Sequence, residues 1–329
     1  MTYFKNLLRG SLTGTIGLVL AASAPSAAVA QDFPSEPITI IVGAAPGGST
    51  DLLARLVGQE MGEFLGVNVV IENVPGAGAT IGMTQGASAE PDGYTLSFGN
   101  MGHLAANVAI YEDLPFDPIE DFEPIGNVAN VPMVLSVSNQ SGFETLEDFL
   151  AYMEENPGAA NFGTSGPGST GWLAPSLLLN LAGAEAELVT YQGAGPALND
   201  LFAGVMDAQI DQTATMIPVH QEGQARALAI TSDERIDQLP DVPTFAEAGM
   251  PEFDMVVWNG LVAPKGTPED VMVKLEEAVN HALDSETITE RYGELAIQAP
   301  AGDARGREAF ASMIASDVER WLTVLGEMD

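Results

Sequence analysis

Cysteine is absent from all 329 residues. That excludes disulfides, thiol nucleophiles and thiolate metal sites, and with them a lipid-modified cysteine after cleavage of a leader. Basic residues are also scarce: 11 Lys and Arg stand against 46 Asp and Glu, a net charge of −35. Such a chain is not held to nucleic acid or to an anionic membrane by electrostatics. The acidic surface is most simply a solubility feature. The apolar run "LTGTIGLVLAA" at 12–22 falls short of the roughly 20 residues that a spanning helix needs. It follows Lys5 and Arg9 and precedes Ala28-Val29-Ala30, an A-x-A cleavage site. Residues 1–30 therefore read as a signal peptide, and the protein as exported and soluble in a periplasm-type compartment. Removing the leader takes the charge from −35 to −37, because Lys5 and Arg9 leave with no acid, and only Lys265 and Lys274 remain as lysines.

What is present is a strand–helix alternation. "PITIIV" (37–42) is a β-branched apolar run and reads as a buried strand. Leu52, Leu53, Leu56, Val57, Met61, Phe64 and Leu65 then recur at helical spacing. Strands are expected at 67–73 and 94–99, with a helix entered from "PGAGATIG" (75–82). The pattern restarts at 132–137, with a helix at 145–156, strands at 186–191, 207–212 and 225–231, and a helix entered from 192–204. A proline-broken loop with a short helix is expected at 239–249, a strand near 258–268, and helices near 269–284 and 307–327. This alternation predicts an α/β protein of two lobes, each a mostly parallel sheet flanked by helices. Loops at the carboxyl ends of the strands would face the crevice between the lobes, where ligands bind.

Four loops share one design, in which a strand ends, small residues follow and a helix begins. They are "AAPGGSTD" (44–51), "GNMGH" (99–103), "GTSGPGSTG" (163–171) and "YQGAGPA" (191–197). The first turn of a helix has up to four N–H groups without internal partners, and the macrodipole places about +0.5 charge there. Glycine lets backbone approach a ligand closely. Ser49, Thr50, Thr164, Ser165, Ser169 and Thr170 add hydroxyls. Such loops can bind a carboxylate or phosphate without lysine or arginine.

Gly166, Gly168 and Gly171 also spell G-x-G-x-x-G, with Glu185 or Glu187 near the spacing of a ribose-binding acid. The preceding strand is short and polar, and the exported compartment is poor in dinucleotides. The loop is read as a carboxylate cradle instead. No G-x-S-x-G elbow occurs. His103, His220 and His281 have no metal-ligand spacing; His220 and His281 read as surface or helix-face residues, and His103 sits in a candidate loop. No catalytic residue, metal or cofactor is expected.

"PITIIVGAAPGGSTDLLARLVGQEM", "VVIENVPGAGATIG", "PDGYTLSFGN", "LPFDPIEDFEPIGNVA", "NFGTSGPGST", "VTYQGAGPALNDLFAGVMDAQID", "LPDVPTFAEAGMPEF" and "WNGLVAPKGTP", in that order, resemble one family. It is that of the substrate-binding proteins of tripartite tricarboxylate transporters, the Bug-type or TctC-like proteins. The resemblance implies a type II-like periplasmic binding protein fold, with lobe 1 at 31–131 and 254–329, lobe 2 at 132–253, and a ligand cleft between them. It implies a monomer that captures a small organic mono-, di- or tricarboxylate and delivers it to one large and one small integral membrane subunit. A sensory protein signalling to a membrane kinase, or a periplasmic enzyme acting on a carboxylate, are the alternatives. Carried onto this chain, the first loop gives Ala45, Gly47, Gly48, Ser49 and Thr50, and the second lobe gives Thr164, Ser165, Gly168, Ser169 and Thr170. A third loop gives Gly99, Asn100, Gly102 and His103, and Tyr191 opens the fourth. Asp211 stands where the family often has a cleft-facing acid, suited to a hydroxyl or amine and repelling a carboxylate. The chain departs from the family at Gly43-Ala44-Ala45, where a proline and an aromatic are common. Trp172 and Trp258 are further candidates for reshaping the pocket, Trp258 being read as packing in the hinge.

An acidic surface repels an anion at long range, yet salt screens charges beyond about 8–10 Å while loop amides act at contact. Association with an anionic ligand is expected to speed up as salt is added. Stopped-flow rates that fall steadily with salt would contradict this.

Overall fold

The structure, a computed structural model, describes residues 33–326. The expected leader at 1–30 lies outside these residues. Strand β1 (Ile38–Val42) is buried along almost its whole length, as its β-branched sequence requires. It pairs in parallel with β2 (Val69–Asn73) and β3 (Thr95–Asn100). Helix α1 (Ser49–Leu65) connects β1 to β2 and buries Leu53, Ala54, Val57 and Met61 on one face. It ends at Gly66, whose φ of 72° places it in the left-handed region and lets its N–H reach the Gly62 carbonyl at 2.9 Å. Helix α2 (Thr80–Ala87) connects β2 to β3. After β3 the chain turns through a wide π-type turn at Gly102–Ala106 into α3 (Asn107–Ile110).

Strand β4 (Phe122–Ser138) is 17 residues long and joins the two halves of the sheet. The chain continues through α4 (Leu146–Glu155), β5 (Asn161–Thr164), α5 (Thr170–Ala182), β6 (Glu187–Thr190), α6 (Ala194–Phe202), β7 (Ala208–Gln212), α7 (Thr213–Gln221) and β8 (Ala225–Ile230). Strand β9 (Val256–Pro264), α8 (Glu269–Asp284), α9 (Glu286–Glu294) and α10 (Arg307–Gly326) complete it. The nine strands run β2-β1-β3-β9-β4-β7-β5-β6, with β8 beside β4. The outer triplets β2-β1-β3 and β7-β5-β6 are parallel, as the alternation predicted. The middle is antiparallel: β4 pairs β9 from Phe122 to Pro132, then changes to β7 and β8 from Met133 onward. The expected short helix within 239–249 is absent. Turns stand there, with one bridge from Thr244 to Ile230.

The long carboxy-terminal helices pack on first-half elements. Helix α8 lies on α1, and α10 lies on β4 and the 102–110 segment. Trp258 is buried edge-on against Phe310 of α10, with ring centres 5.3 Å apart, and its indole N–H donates to Asp317 at 2.5 Å. That confirms packing for this tryptophan. Gly260 of β9 leaves the space that Phe310 fills: a Cβ built there would lie 2.3 Å from Phe310 Cζ and 2.7 Å from the Gly126 carbonyl oxygen. Gly260→Ala should lower the unfolding free energy by about 1–3 kcal/mol, the usual range for overpacking. Urea denaturation checks this, and an unchanged midpoint would mean that α10 shifts without loss.

Candidate functional site

Six parallel strands, β1, β2 and β3 on one side and β5, β6 and β7 on the other, end at one cavity of about 430 Å³. Residues at the starts of five helices, α1, α2, α5, α6 and α7, form its wall. Ser49 and Thr50 open α1, while Thr170 and Gly171 open α5. The amides of these first helical residues have no acceptor within their own helices. Among the described residues, no lysine or arginine belongs to the wall, and Asp211 is its one carboxylate. The volume lies within the range usual for small-ligand sites, about 300–1,000 Å³.

The first loop is held in shape by a buried acid. Asp51 accepts from the Gly47 N–H at 3.0 Å, from Asn73 Nδ2 at 2.9 Å and from Arg55 Nε at 3.1 Å. Asn73 also donates to the Ala44 carbonyl at 2.9 Å. Burial alone would raise the Asp51 carboxyl, but the bonds from Arg55, Gly47 and Asn73 outweigh it and hold the group below the usual carboxylate range. The third loop has its own brace. Asn100 Oδ1 accepts from Gly102 N–H at 3.0 Å and His103 N–H at 3.3 Å, and Asn100 Nδ2 donates to Thr50 Oγ1 at 3.4 Å.

Several glycines serve the meeting of the two halves. A Cβ built on Gly78 would lie 2.1 Å from the Pro167 carbonyl oxygen, and one on Gly193 would lie 2.8 Å from Ala45 Cβ. One on Gly102 would lie 2.6 Å from the Gly168 carbonyl oxygen. Only hydrogen fits at these points. Around them, Asn107 Nδ2 donates to the Gly78 carbonyl at 3.0 Å and Tyr111 donates to Pro167 at 2.8 Å. The hydroxyls of Ser49 and Thr215 form a hydrogen bond between α1 and α7. Ala77, Gly78 and Ala79 all have positive φ, at 46°, 58° and 73°. Left-handed backbone at two alanines is strained, and it lies in the cavity wall.

The expected residues divide into two groups. Ala45, Gly48, Ser49, Thr50, Asn100, His103, Ser165, Ser169, Thr170, Tyr191 and Asp211 form one wall. Gly47, Gly99, Gly102, Thr164 and Gly168 stand behind it. Gly47 and Gly102 give their amides to Asp51 and Asn100, Gly99 packs on Leu104, and Gly168 packs on Asn107. Thr164 donates its hydroxyl to the Val189 carbonyl at 3.2 Å, and Ser169 donates to the Gly166 carbonyl at 2.7 Å. Those two hydroxyl hydrogens face inward. Tyr191 donates to Asp200 at 2.6 Å, and that bond pushes its phenol up to about 12. Sequence reasoning missed Ala77–Ala79 and Gln212, and in the fourth loop it singled out only Tyr191, although Gln192–Ala194 also belong to the wall. The loop at 75–82 carried the same signal as the four that were chosen. Trp172 lies off the wall, against the core that α5 covers. His220 accepts from the Ala227 N–H at 3.1 Å, and His281 is exposed beside Phe64.

His103 and Asp211 belong to the cavity wall from opposite halves. Both are about 95 % buried, His103 Nδ1 and Asp211 Oδ2 have no hydrogen-bond partner, and Asp211 Oδ1 accepts only from the Gln212 N–H at 2.7 Å. Burial pushes His103 down to about 4. Burial also pushes Asp211 up to about 7, against the pull of the Gln212 amide.

A sequence profile described as the tripartite tricarboxylate transporter family receptor (TctC) matches residues 53–329. The chain belongs to this family. BugT of Bordetella pertussis is 34% identical, aligned over 96% of this chain and 97% of its own. MatC of Rhodopseudomonas palustris, solved with bound malate, is 37% identical with a TM-score of 0.86, covering 89% of this chain and 99% of that one. The periplasmic binding protein BugD is 32% identical with a TM-score of 0.86, covering 90% and 98%. This receptor has the two-lobed periplasmic binding protein fold. Among its described residues no helix is long and apolar enough to cross a membrane.

Linkage gives its two buried cavity groups opposite signs. From about pH 4 to 6.5 the unfolded chain holds a proton on His103 that the folded one lacks, so this contribution is lost as pH falls through that window. From 3.8 to about 7 the folded chain holds a proton on Asp211 that the unfolded one lacks, so stability is lost as pH rises. Each slope approaches about 1.4 kcal/mol per pH unit, and they oppose each other. Relative to the wild type, Asp211→Asn should therefore shift the slope of unfolding free energy with pH upward between 4 and 6.5, and His103→Gln should shift it downward. Denaturant titrations across this range check it; parallel profiles for the two variants would contradict it.

Proposed function

We infer that this receptor is a non-enzymatic solute-binding protein of the periplasm, freed from a leader at 1–30. It captures a small organic mono-, di- or tricarboxylate between lobes divided at 131/132 and 253/254. It then hands that ligand to the large and small membrane subunits of a tripartite transporter. One observation carries the reading: five helix starts meet at a cavity whose wall has no lysine or arginine. Unpartnered amides and positive helix ends recognise an anion there without a counter-charge. MatC, of the same family, is bound to malate, which supports carboxylate over other anions. The position of β4, which changes partners between Pro132 and Met133, supports a hinge at that point. Ligand contacts made from both lobes would favour the closed form, which the membrane subunits would then select.

A thermal-shift screen of small carboxylic acids should raise the melting temperature with at least one of them, growing with concentration by mass action. Two variants then test the cradle. Ser49→Pro and Ser49→Ala both lose the hydroxyl that meets Thr215, but only proline removes the amide. Proline fits the first helical position, and Gly48 before it is already extended, with φ −89° and ψ 173°. Calorimetry with the responding acid should show Ser49→Pro binding about tenfold or more weaker than Ser49→Ala, the loss of one charge-assisted hydrogen bond. Equal affinities would remove the α1 amide from the site.

A further inference from the structure

The helix starts that line the cavity come from opposite halves, and something outside the cavity must set them against each other. Between β5 and α5 the chain turns at Pro167 and Gly168, just before Ser169 and Thr170 open α5. That tip sits in a socket made by three pieces of the first half. Gly78 and Gly102 close two sides of it. On the third, a Cβ built on Gly168 would lie 2.1 Å from Asn107 Oδ1 and 3.0 Å from Tyr111 Cε2. Fit alone does not fasten the tip. Tyr111, which follows α3, does so: its hydroxyl donates to the Pro167 carbonyl at 2.8 Å. The donor is itself anchored. Its N–H bonds to the Asn107 carbonyl at 3.1 Å, and Asn107 Nδ2 holds the Gly78 carbonyl at 3.0 Å. Tyr111 is half-buried and is not part of the cavity wall. The Ser49–Thr215 bond also joins the halves, but Ser49 belongs to the wall. Tyr111 is thus a place where the joint can be altered without altering the cavity.

We propose that Tyr111 is a positioning residue, whose hydroxyl clasps the α5 loop to the first half and so sets how long any ligand is retained. The proposal rests on the reading of capture between two lobes given above. Donor and acceptor are both protein groups, so the bond forms whenever the halves meet and breaks whenever they part. It favours the closed arrangement by the same amount for every ligand, and for the ligand-free protein too. Its signature is a common factor in affinity that appears in the rate of release. One neutral hydrogen bond corresponds to about threefold to tenfold in such an equilibrium.

The test compares Tyr111→Phe, which loses only the hydroxyl, with Tyr111→Leu, which loses the ring as well, folding being checked by the melting transition. The first readout needs no ligand. Lys274 of α8 and Glu154 of α4 are exposed helix positions in opposite halves. Lys274→Cys and Glu154→Cys can be spin-labelled specifically, because the chain has no cysteine of its own. Pulsed electron double resonance on the ligand-free protein should resolve a clasped separation, whose share relative to the rest falls at least about threefold in Tyr111→Phe. The second readout uses the acids that raise the melting temperature. Tyr111→Phe should weaken all of them by one common factor of about threefold to tenfold, through faster release with association unchanged. Tyr111→Leu should add little to that loss. Unchanged label distances in Tyr111→Phe would overturn the proposal, as would a loss confined to Tyr111→Leu, which marks ring packing. Losses that differ severalfold between acids would overturn it too, since they mark a ligand contact. Binding by no acid would end the carboxylate reading, while the ligand-free distances would still decide the clasp.

Discussion

An amide in the first turn of a helix has no acceptor behind it, and the cavity of this receptor depends on that fact. Parallel strands connected by helices place every strand-to-helix turn at the same sheet edge. Two such triplets, β2-β1-β3 and β7-β5-β6, are joined through β4 and β9 so that those edges meet. Helix starts then converge without any designed charge. An arginine at the same place would bring its own desolvation penalty and would need a partner once the ligand left. The peptide dipoles carry no net charge and are fixed before the ligand arrives. This also reconciles an anion site with a net charge of −35, because the surface field is screened within about 10 Å while the amides act at hydrogen-bond distance.

Fixed dipoles require fixed loops. Asp51 and Asn100 each tie loop amides to side chains of the first half, so the arrangement of the Gly47 and Gly102 turns is set before any ligand binds. Closure is left to uncharged contacts: Gly78 on Pro167, Gly102 on Gly168 and Gly193 on Ala45. None of the ion pairs among the described residues involves a residue of the cavity wall. These close approaches hold the halves in register through uncharged contacts.

Much of this was legible in the chain because period and punctuation agreed. "PITIIV" and the small residues after it announced β1 and the first wall, and the four chosen loops all reached the site region. The failures have physical causes. The first half of β4 is broken by Pro124, Gly126 and Asn127, and its register shifts between Pro124 and Gly126 and between Asn127 and Ala129. No alternating pattern survives such bulges. Helix α7 carries Pro218 in its interior, and α9 is only nine residues long and buries just Ile288 and Tyr292, a stripe too short to stand out. The glycines misled in a more useful way. Composition reveals that backbone must come close to something, but not to what. At Gly102 and Gly168 the neighbour is the other half of the protein, and at Gly47 the amide turns back to Asp51. His103 and Asp211 were each singled out separately, but nothing local says that they share one wall, since 108 positions of sequence separate them.

Those two residues also explain why closure should follow occupancy. In this structure Asp211 Oδ2 and His103 Nδ1 are buried and neither has a protein hydrogen-bond partner. A buried polar atom without a hydrogen bond costs about 1–3 kcal/mol. That penalty falls on the closed form alone, so it disfavours closing around nothing. A ligand that supplies the missing hydrogens removes it, and the gain is differential between the two forms, which is the kind of interaction that moves a conformational equilibrium. The groups that make the cavity wall locally unfavourable are thus the same ones that would couple its shape to what the cavity holds. A wall of perfectly satisfied side chains would be more stable and would report nothing.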